Sequence, residues 1–263
     1  MNDSNPDKSR LLASLRNRIA RHTVQVPGYI TPKGLSYRRG EGAALRLALG
    51  HVHEVQGDRP GHGAAIGFAA RCLAAAQEAR TGPVLWAATP RDRIEDGRLY
   101  LPGLVQADLD PARLLIATPQ RQKDLLWVLE EALSSGALSG VAAWVGDLAL
   151  TPSRRLALAA ARHGTPLVLL RHWQAIGATA AETRWRITPR PSQPHPFDAQ
   201  APGRAVWNVT LERARSGPPR TWEVVVNGAE DALDLVAGLR DGPLAARLAS
   251  PGADRLPPEA RAG

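Results

Sequence analysis

The sequence predicts an α/β fold: a mostly parallel sheet flanked by helices, with antiparallel strands at its C-terminal edge. Three observations predict it. Between residues 51 and 171, short apolar runs of strand length alternate with helix-length runs, the order that builds parallel strands linked by crossover helices. After residue 180 the runs alternate apolar with polar residues, and their connectors are rich in Pro, Gly and Ser, as in antiparallel strands. Finally, a glycine-rich loop separates the first strand from the first core helix, the geometry in which backbone N–H groups can cradle phosphate.

Taken in order, residues 8–22 (KSRLLASLRNRIARH) place Leu11, Leu12, Leu15 and Ile19 on one helical stripe with arginines opposite. Residues 23–44 carry Pro27, Gly28, Pro32, Gly34, Gly40 and Gly42 and form a linker, so residues 1–44 are a helix tethered ahead of the core. Such a helix either packs back on its own domain or docks on a neighbour. The core spans 45–240. Its parallel strands are HVHEV (51–55), PVLWAA (83–88), RLLIAT (113–118), GVAAWVG (140–146) and PLVLLR (166–171). Between them come an apolar helix at 64–80, a charged turn at 91–96, and helices at 123–136 and 153–164 that stop at Gly136 and Gly164. ETRWRIT (182–188), AVWNVTLERA (205–214) and TWEVVV (221–226) are the late strands, and the Pro-rich stretch 241–263 is expected to be a disordered tail.

Composition bounds the function. With 263 residues, 44% hydrophobic and 22% charged, the chain can bury one substantial core. No apolar run is long enough for a membrane span, the start MNDSNPDKSR lacks a signal-peptide core, and the lone Cys72 excludes an internal disulfide framework. A cytoplasmic location without membrane partners is expected. The net charge is +8, and because Lys8, Lys33 and Lys123 are the only lysines, 30 of the 33 basic residues are arginines. Arginine excess suits phosphate contact, and it equally reflects a composition rich in Arg, Ala, Gly and Pro.

The glycine-rich loop departs from a working phosphate loop. It runs Gly57, Asp58, Arg59, Pro60, Gly61, His62, Gly63, Ala64, Ala65, with five residues between Gly57 and Gly63 where the motif has four. Ala64 and Ala65 stand where the motif has its Lys and its Ser/Thr, so neither a cation for the β/γ-phosphates nor a hydroxyl for Mg²⁺ is present. Losing two such contacts at ~1.5–3 kcal/mol each weakens nucleotide binding roughly 10²–10⁴-fold. Asp58 adds a negative charge there, and the fourth strand ends without an acid; Asp147, just beyond it, is either a displaced magnesium ligand or a solvated turn residue. Little or no ATPase activity is expected, and no cofactor.

The ordered series VHEV (52–55), PVLWAA (83–88), LYLPGL (99–104), LDPARLLIAT (109–118), LLWVLEEALSSGAL (125–138), SRRLALAAARHGTPLVLL (153–170) and VWNVTLERARSGPPRTWEV (206–224) resembles the ImuA family over about residues 8–226. The resemblance implies a RecA-like core and a place in the SOS-induced mutasome that copies damaged DNA. It implies ImuB, a Y-family polymerase homologue, as partner, and through the mutasome an error-prone DNA polymerase III alpha-type subunit. RecA's first DNA-binding loop would follow the fourth strand, where only Asp147 to Pro152 remain. The second would follow the fifth, where this chain offers HWQAIGATA (172–180). Strand exchange is therefore not expected. The stripe Leu11, Leu12, Leu15 and Ile19 is the candidate partner-binding surface, toward another copy, RecA or ImuB.

Other features point less far. His51 and His53 alternate along a strand with no third ligand at metal-binding spacing, so no metal is expected. Cys72 lies in an apolar helix and suits the core. Trp86, Trp127 and Trp144 fall in core elements, whereas Trp185, Trp207 and Trp222 lie on the late strands among arginines. Trp185 with Arg184, Arg186, Arg213 and Arg215 forms a candidate surface for single-stranded DNA, by stacking and phosphate contact. The alternative is a half-buried sheet with a solvated arginine face. The adjacent Glu130 and Glu131 face different sides of a helix, and no Ser-His-Asp or Cys-His set is legible, so no catalytic residues are expected. The reading is a non-catalytic, RecA-like accessory protein of translesion synthesis. Two alternatives stay open: a SulA-like inhibitor binding FtsZ, and a RecA-like ATPase with a rearranged loop using Arg59.

Overall fold

The computed structural model describes residues 47–58, 62–95, 97–175, 177–195, 197–198, 201, 203–215, 217–226 and 234–235, and Ser14. Apart from Ser14, the expected helix at 8–22 and the linker to residue 44 lie outside the described residues, as does the expected tail at 241–263.

Among the described residues, nine strands form one sheet. They are β1 (Val52–Gly57), β2 (Val84–Ala87), β3 (Leu114–Ala117), β4 (Gly140–Trp144), β5 (Leu167–Arg171), β6 (Thr183–Arg190), β7 (Val206–Ala214), β8 (Arg220–Val225) and β9 (Asp234–Leu235). The order across the sheet is β3-β2-β4-β5-β1-β6-β7-β8-β9. From β3 to β6 every pairing is parallel, and β7, β8 and β9 add antiparallel. The expected α/β architecture is what the chain adopts, with one difference in detail. The first late strand, β6, runs parallel to β1, so the antiparallel run starts at β7. The connector 172–182 is long enough, at about 36–40 Å fully extended, to carry the chain back before β6 begins.

Among the described residues, the helices that cover the sheet are α1 (His62–Ala79), α2 (Pro90–Glu95), α3 (Leu101–Gln106), α4 (Gln122–Ser134) and α5 (Leu150–His163), with a short 3₁₀ turn at Pro111–Arg113. Alternation along the strands sorts the side chains into two cores. On the α1 side, Val55, Trp86, Val168, Leu170 and Trp185 pack with Phe68 and Leu73. On the α4/α5 side, Leu85, Val141, Leu167 and Leu169 pack with Leu125, Leu129 and Leu156. Gly136 and Gly164 adopt positive φ (+66° and +67°) just past α4 and α5, the left-handed geometry that ends a helix.

The segment expected as a charged turn at 91–96 contains α2 instead. Thr89 and Asp92 cap it reciprocally: the Asp92 carboxylate accepts from the Thr89 N–H (2.8 Å) and hydroxyl (2.7 Å), and Thr89 Oγ1 accepts from the Asp92 N–H. Pro90 opens the helix at the position where its missing N–H costs nothing.

Arginines fasten the far end of this layer. α1 has no basic residue in its last turn, but Arg113 reaches over to donate to the carbonyls of Gln77 (3.1 Å), Arg80 (2.9 Å) and Gly82 (2.6 Å). Arg80 in turn donates to the carbonyls of His163 and Gly164 at the end of α5. Replacing Arg113 by Ala strands three carbonyls at and just past the end of α1. The expected outcome is a loss of about 2 kcal/mol, read from the urea midpoint at unchanged m-value.

Candidate functional site

The glycine-rich loop leaves the C-terminal end of β1 and leads into α1. Gly57 is still in the ladder opposite Ile187, and the Asp58 N–H donates to the Ile187 carbonyl (3.3 Å). The Asp58 carboxylate accepts from Thr188 Oγ1 (2.5 Å) and from the Arg186 guanidinium (3.3 Å), so the start of the loop is clamped to β6. Gly63 is exposed, whereas Ala64 and Ala65 are buried in the α1-side core. Methyl groups packed there supply neither a cation nor a hydroxyl. Arg59 and Gly61 lie outside the described residues.

Beside the loop, β1 is buried on both faces and yet polar at its centre. Each polar side chain has a specific partner, although Glu54 Oε1 itself accepts no hydrogen bond from the described residues. His53 Nδ1 meets Thr183 Oγ1 at 2.7 Å and Nε2 meets the Ala48 carbonyl at 2.9 Å. Gln56 donates to the carbonyls of His172 and Ala175 and accepts from Arg186. Glu54, 1% exposed, pairs with Arg184 at 2.8 Å and lies 3.9 Å from Arg171, itself 3% exposed. Burial lowers the pKa of Arg171, Glu54 offsets part of that, Arg184 adds to it and Asp147 opposes it. Burial also works against the charge on Arg186, but Glu212 and Asp58 together outweigh it and hold its pKa above the ordinary value.

The candidate DNA surface is rearranged by these contacts. Trp185 is fully buried, its indole N–H donating to Thr183 Oγ1 and its ring packed between Phe68 (5.7 Å) and Trp222 (5.9 Å). It cannot stack on a base without leaving the core, which corrects the expectation of a stacking platform. Trp207 and Trp222 are buried as well. The alternation of β6 explains this: odd positions face α1, and even positions carry Arg184 and Arg186 to the opposite side. There, Arg184 holds Glu54 and the Gly177 carbonyl, and Arg186 holds Glu212, Asp58 and Gln56. Arg213 donates to the carbonyls of Thr179 and Ala181. Arg215, whose side chain is 64% exposed, contacts the Ala180 carbonyl and lies 3.8 Å from Glu182. The face is thus half-buried and charge-balanced, close to the alternative of a half-buried sheet.

Of the two histidines, His51 lies 3.7 Å from Glu182, and His53 is locked into the hydrogen bonds above. Among the described residues no group of three or more His, Cys, Asp or Glu is placed to hold a metal ion. Cys72 is buried and its thiol pKa is pushed well up by that burial. No described helix is long and apolar enough to cross a membrane.

Among the described residues, two clefts open at the C-terminal ends of the strands, where open α/β sheets place ligands. A polar one of about 900 Å³ lies beyond β2, β4 and β5 and is lined by Thr89, Gln120, Gln122, Asp147, His172 and Gln174. Asp147 is exposed there, as a turn residue would be. An apolar one of about 470 Å³ lies between α1 and α3, walled by Ile66, Trp86, Tyr100, Leu101 and Ile116. Sequence reasoning missed this second cleft, because α3 is only six residues long and its apolar run 99–104 offers no period to read. It also missed the partners of Glu54 and Asp58, which lie 130 and 128–130 residues away.

Removing Arg184 leaves the buried Glu54 carboxylate to Arg171 at a poor distance. The expected outcome for Arg184→Ala is a loss of about 3 kcal/mol of stability in urea unfolding. His53 gives a pH dependence. Its pKa is lowered from the ordinary 6.5 to about 4, by burial first, against a raising bond to Ala48 and with a small contribution from His51. The unfolded imidazole therefore takes up a proton below pH 6.5 while the folded one stays neutral, so stability is full above 6.5 and declines as pH falls toward 4. Urea midpoints from pH 7 to 4.5 should fall less steeply for His53→Gln, by up to ~3 kcal/mol over the range.

No family model matches the chain. Protein ImuA of Caulobacter vibrioides (strain NA1000 / CB15N) is 34% identical over 193 residues, covering 67% of this chain and 75% of that protein. Protein ImuA of Caulobacter vibrioides (strain ATCC 19089 / CIP 103742 / CB 15) matches with the same figures. Among solved structures, the RadB recombinase superposes with a TM-score of 0.48 at 16% identity, covering 68% of this chain and 89% of that one. With a third of the aligned residues identical over two thirds of this chain and three quarters of the relative, and with the expected α/β sheet in place, this chain belongs to the ImuA family.

Proposed function

We propose that this protein is a non-catalytic accessory protein of error-prone translesion DNA synthesis, which acts by holding partners rather than by turning over nucleotide. The observation that carries the reading is the head of α1. Buried alanines stand at positions 64 and 65, and the one charged described residue of the loop, Asp58, is an anion bound to β6. A phosphate there would meet a carboxylate and find no lysine. Catalysis of phosphoryl transfer rests on positioning and charge neutralisation, and both groups that supply it are missing.

Family membership supports ImuB, the Y-family polymerase homologue, as the immediate partner, and the error-prone DNA polymerase III alpha-type subunit as a partner reached through the mutasome. RecA, single-stranded DNA and a second copy of the chain are secondary candidates. The amphipathic stripe of Leu11, Leu12, Leu15 and Ile19 is a sequence-level candidate for one of these contacts. A net charge of +8 favours encounter with nucleic acid or acidic protein surfaces.

Two measurements check the reading. Phosphate release from Mg-ATP should stay at background with and without single-stranded DNA; turnover that disappears in Arg59→Ala would replace this reading with that of a rearranged-loop ATPase. Co-expression with the ImuB homologue of the same genome should give one complex on sizing, and removal of residues 1–22 should weaken it at least tenfold. Two separate peaks at micromolar concentration would discard ImuB as the direct partner.

A further inference from the structure

The exposed large apolar side chains are not scattered over this molecule. Of the eight among the described residues, five fall between positions 94 and 116: Ile94 (85% exposed), Tyr100 (71%), Leu101 (46%), Val105 (50%) and Ile116 (50%). They belong to α2, to α3 with the residue before it, and to β3, which is an edge strand of the described sheet. Tyr100, Leu101 and Ile116 also line the cavity of about 470 Å³ between α1 and α3. Single exposed apolar residues are ordinary; a cluster that leads into a cavity marks a contact surface.

We infer that this cavity and the apolar edge beside it dock a segment of a partner protein that carries bulky apolar anchors flanked by carboxylates. The proposal rests on the reading of the chain as a partner-binding protein and gives that reading a surface. Charge chooses the occupant. Among the described residues, Arg93 and Arg98 line the cavity, and no Asp or Glu does. A wall that carries cations and, among the described residues, no carboxylate favours a ligand that brings acceptors. The same charges disfavour this chain's own amphipathic stretch 8–22, which carries Lys8, Arg10, Arg16, Arg18 and Arg21. Size agrees, because the volume lies within the ~300–1,000 Å³ range of binding pockets and admits bulky anchor side chains.

The surface is separate from the two features already discussed. It lies on the α1 face of the sheet, whereas the Glu54–Arg184–Arg186 ladder faces the other way. It also lies apart from the polar cleft, the two sharing Trp144 alone among their lining residues.

The test uses the full chain and two fluorescein-labelled peptides of about 18 residues, with Trp and Leu at i, i+3, i+4 and i+7. One has Glu at the remaining positions and the other Arg. In low salt the acidic peptide should bind at micromolar Kd and at least tenfold tighter than the basic one, the gap closing as salt rises. Leu101→Asp and Ile116→Asp should each weaken the acidic peptide at least tenfold. Arg93→Glu with Arg98→Glu should remove most of the difference between the peptides. Leu158→Asp, exposed on α5, should change nothing. All these positions are on the surface, and unchanged circular dichroism verifies the fold of each variant. Equal affinity for both peptides, absence of binding, or a loss at Leu158→Asp as large as at Ile116→Asp overturns the proposal. If the peptides fail while the ImuB complex forms and survives Ile116→Asp, the docking surface is wrong and the accessory reading stands. If the acidic peptide binds as expected while no ImuB complex forms, the surface stands and the named partner falls.

Discussion

The sheet depends on a buried line of charge where β1 lies between β5 and β6. Glu54 is removed from water at the middle of the sheet, and such a carboxylate is tolerable only with cations placed against it. Arg184 on β6 and Arg171 on β5 supply them from the two flanking strands. One register step on, Gln56 and Arg186 face each other, and Arg186 extends the line to Asp58 and Glu212. A slip of β6 by one residue would bring Trp185 to this face and the arginines to the α1 core. Charge and tryptophan therefore specify the same register from opposite sides.

The same line determines what the loop after β1 can be. Asp58 is its last member, and its bonds to Thr188 and Arg186 draw the loop's first residue toward β6. A phosphate-binding loop needs free N–H groups, a cation and a metal-binding hydroxyl. Here the first described residues serve the strand pairing, and Ala64 and Ala65 in the first turn of α1 serve the core. The position keeps the strand–loop–helix path while Asp58, Ala64 and Ala65 have structural tasks.

The arginine content takes on a different meaning in three dimensions. Arg113 and Arg80 close helix ends, Arg213 holds the connector before β6, and Arg171, Arg184 and Arg186 neutralise buried or half-buried carboxylates. The planar fork with five donors suits every one of these tasks better than an ammonium would. These guanidinium groups are engaged within the protein. The cations that line an apolar cavity, Arg93 and Arg98, sit elsewhere, next to exposed Tyr100, Leu101 and Ile116.

By itself the sequence determined the order and kind of the elements. Strand-length apolar runs such as PVLWAA, helix stops at Gly136 and Gly164, and the alternation of ETRWRIT are local patterns, set by the periods of strand and helix and by backbone geometry. The loss of the lysine and hydroxyl at Ala64 and Ala65 was equally legible, because chemical identity needs no coordinates. One local signal, the Thr-Pro-Arg-Asp cap that starts α2, was present and went unread as a helix start. The tertiary structure alone decided which face Trp185 takes, that β6 runs parallel to β1, and which arginines are held by carboxylates. Those outcomes turn on pairings between residues up to 130 positions apart, and on whether a helix covers the other side of a strand. A sequence lists the groups that can pair, but distance, burial and competition among partners exist only once the chain is folded.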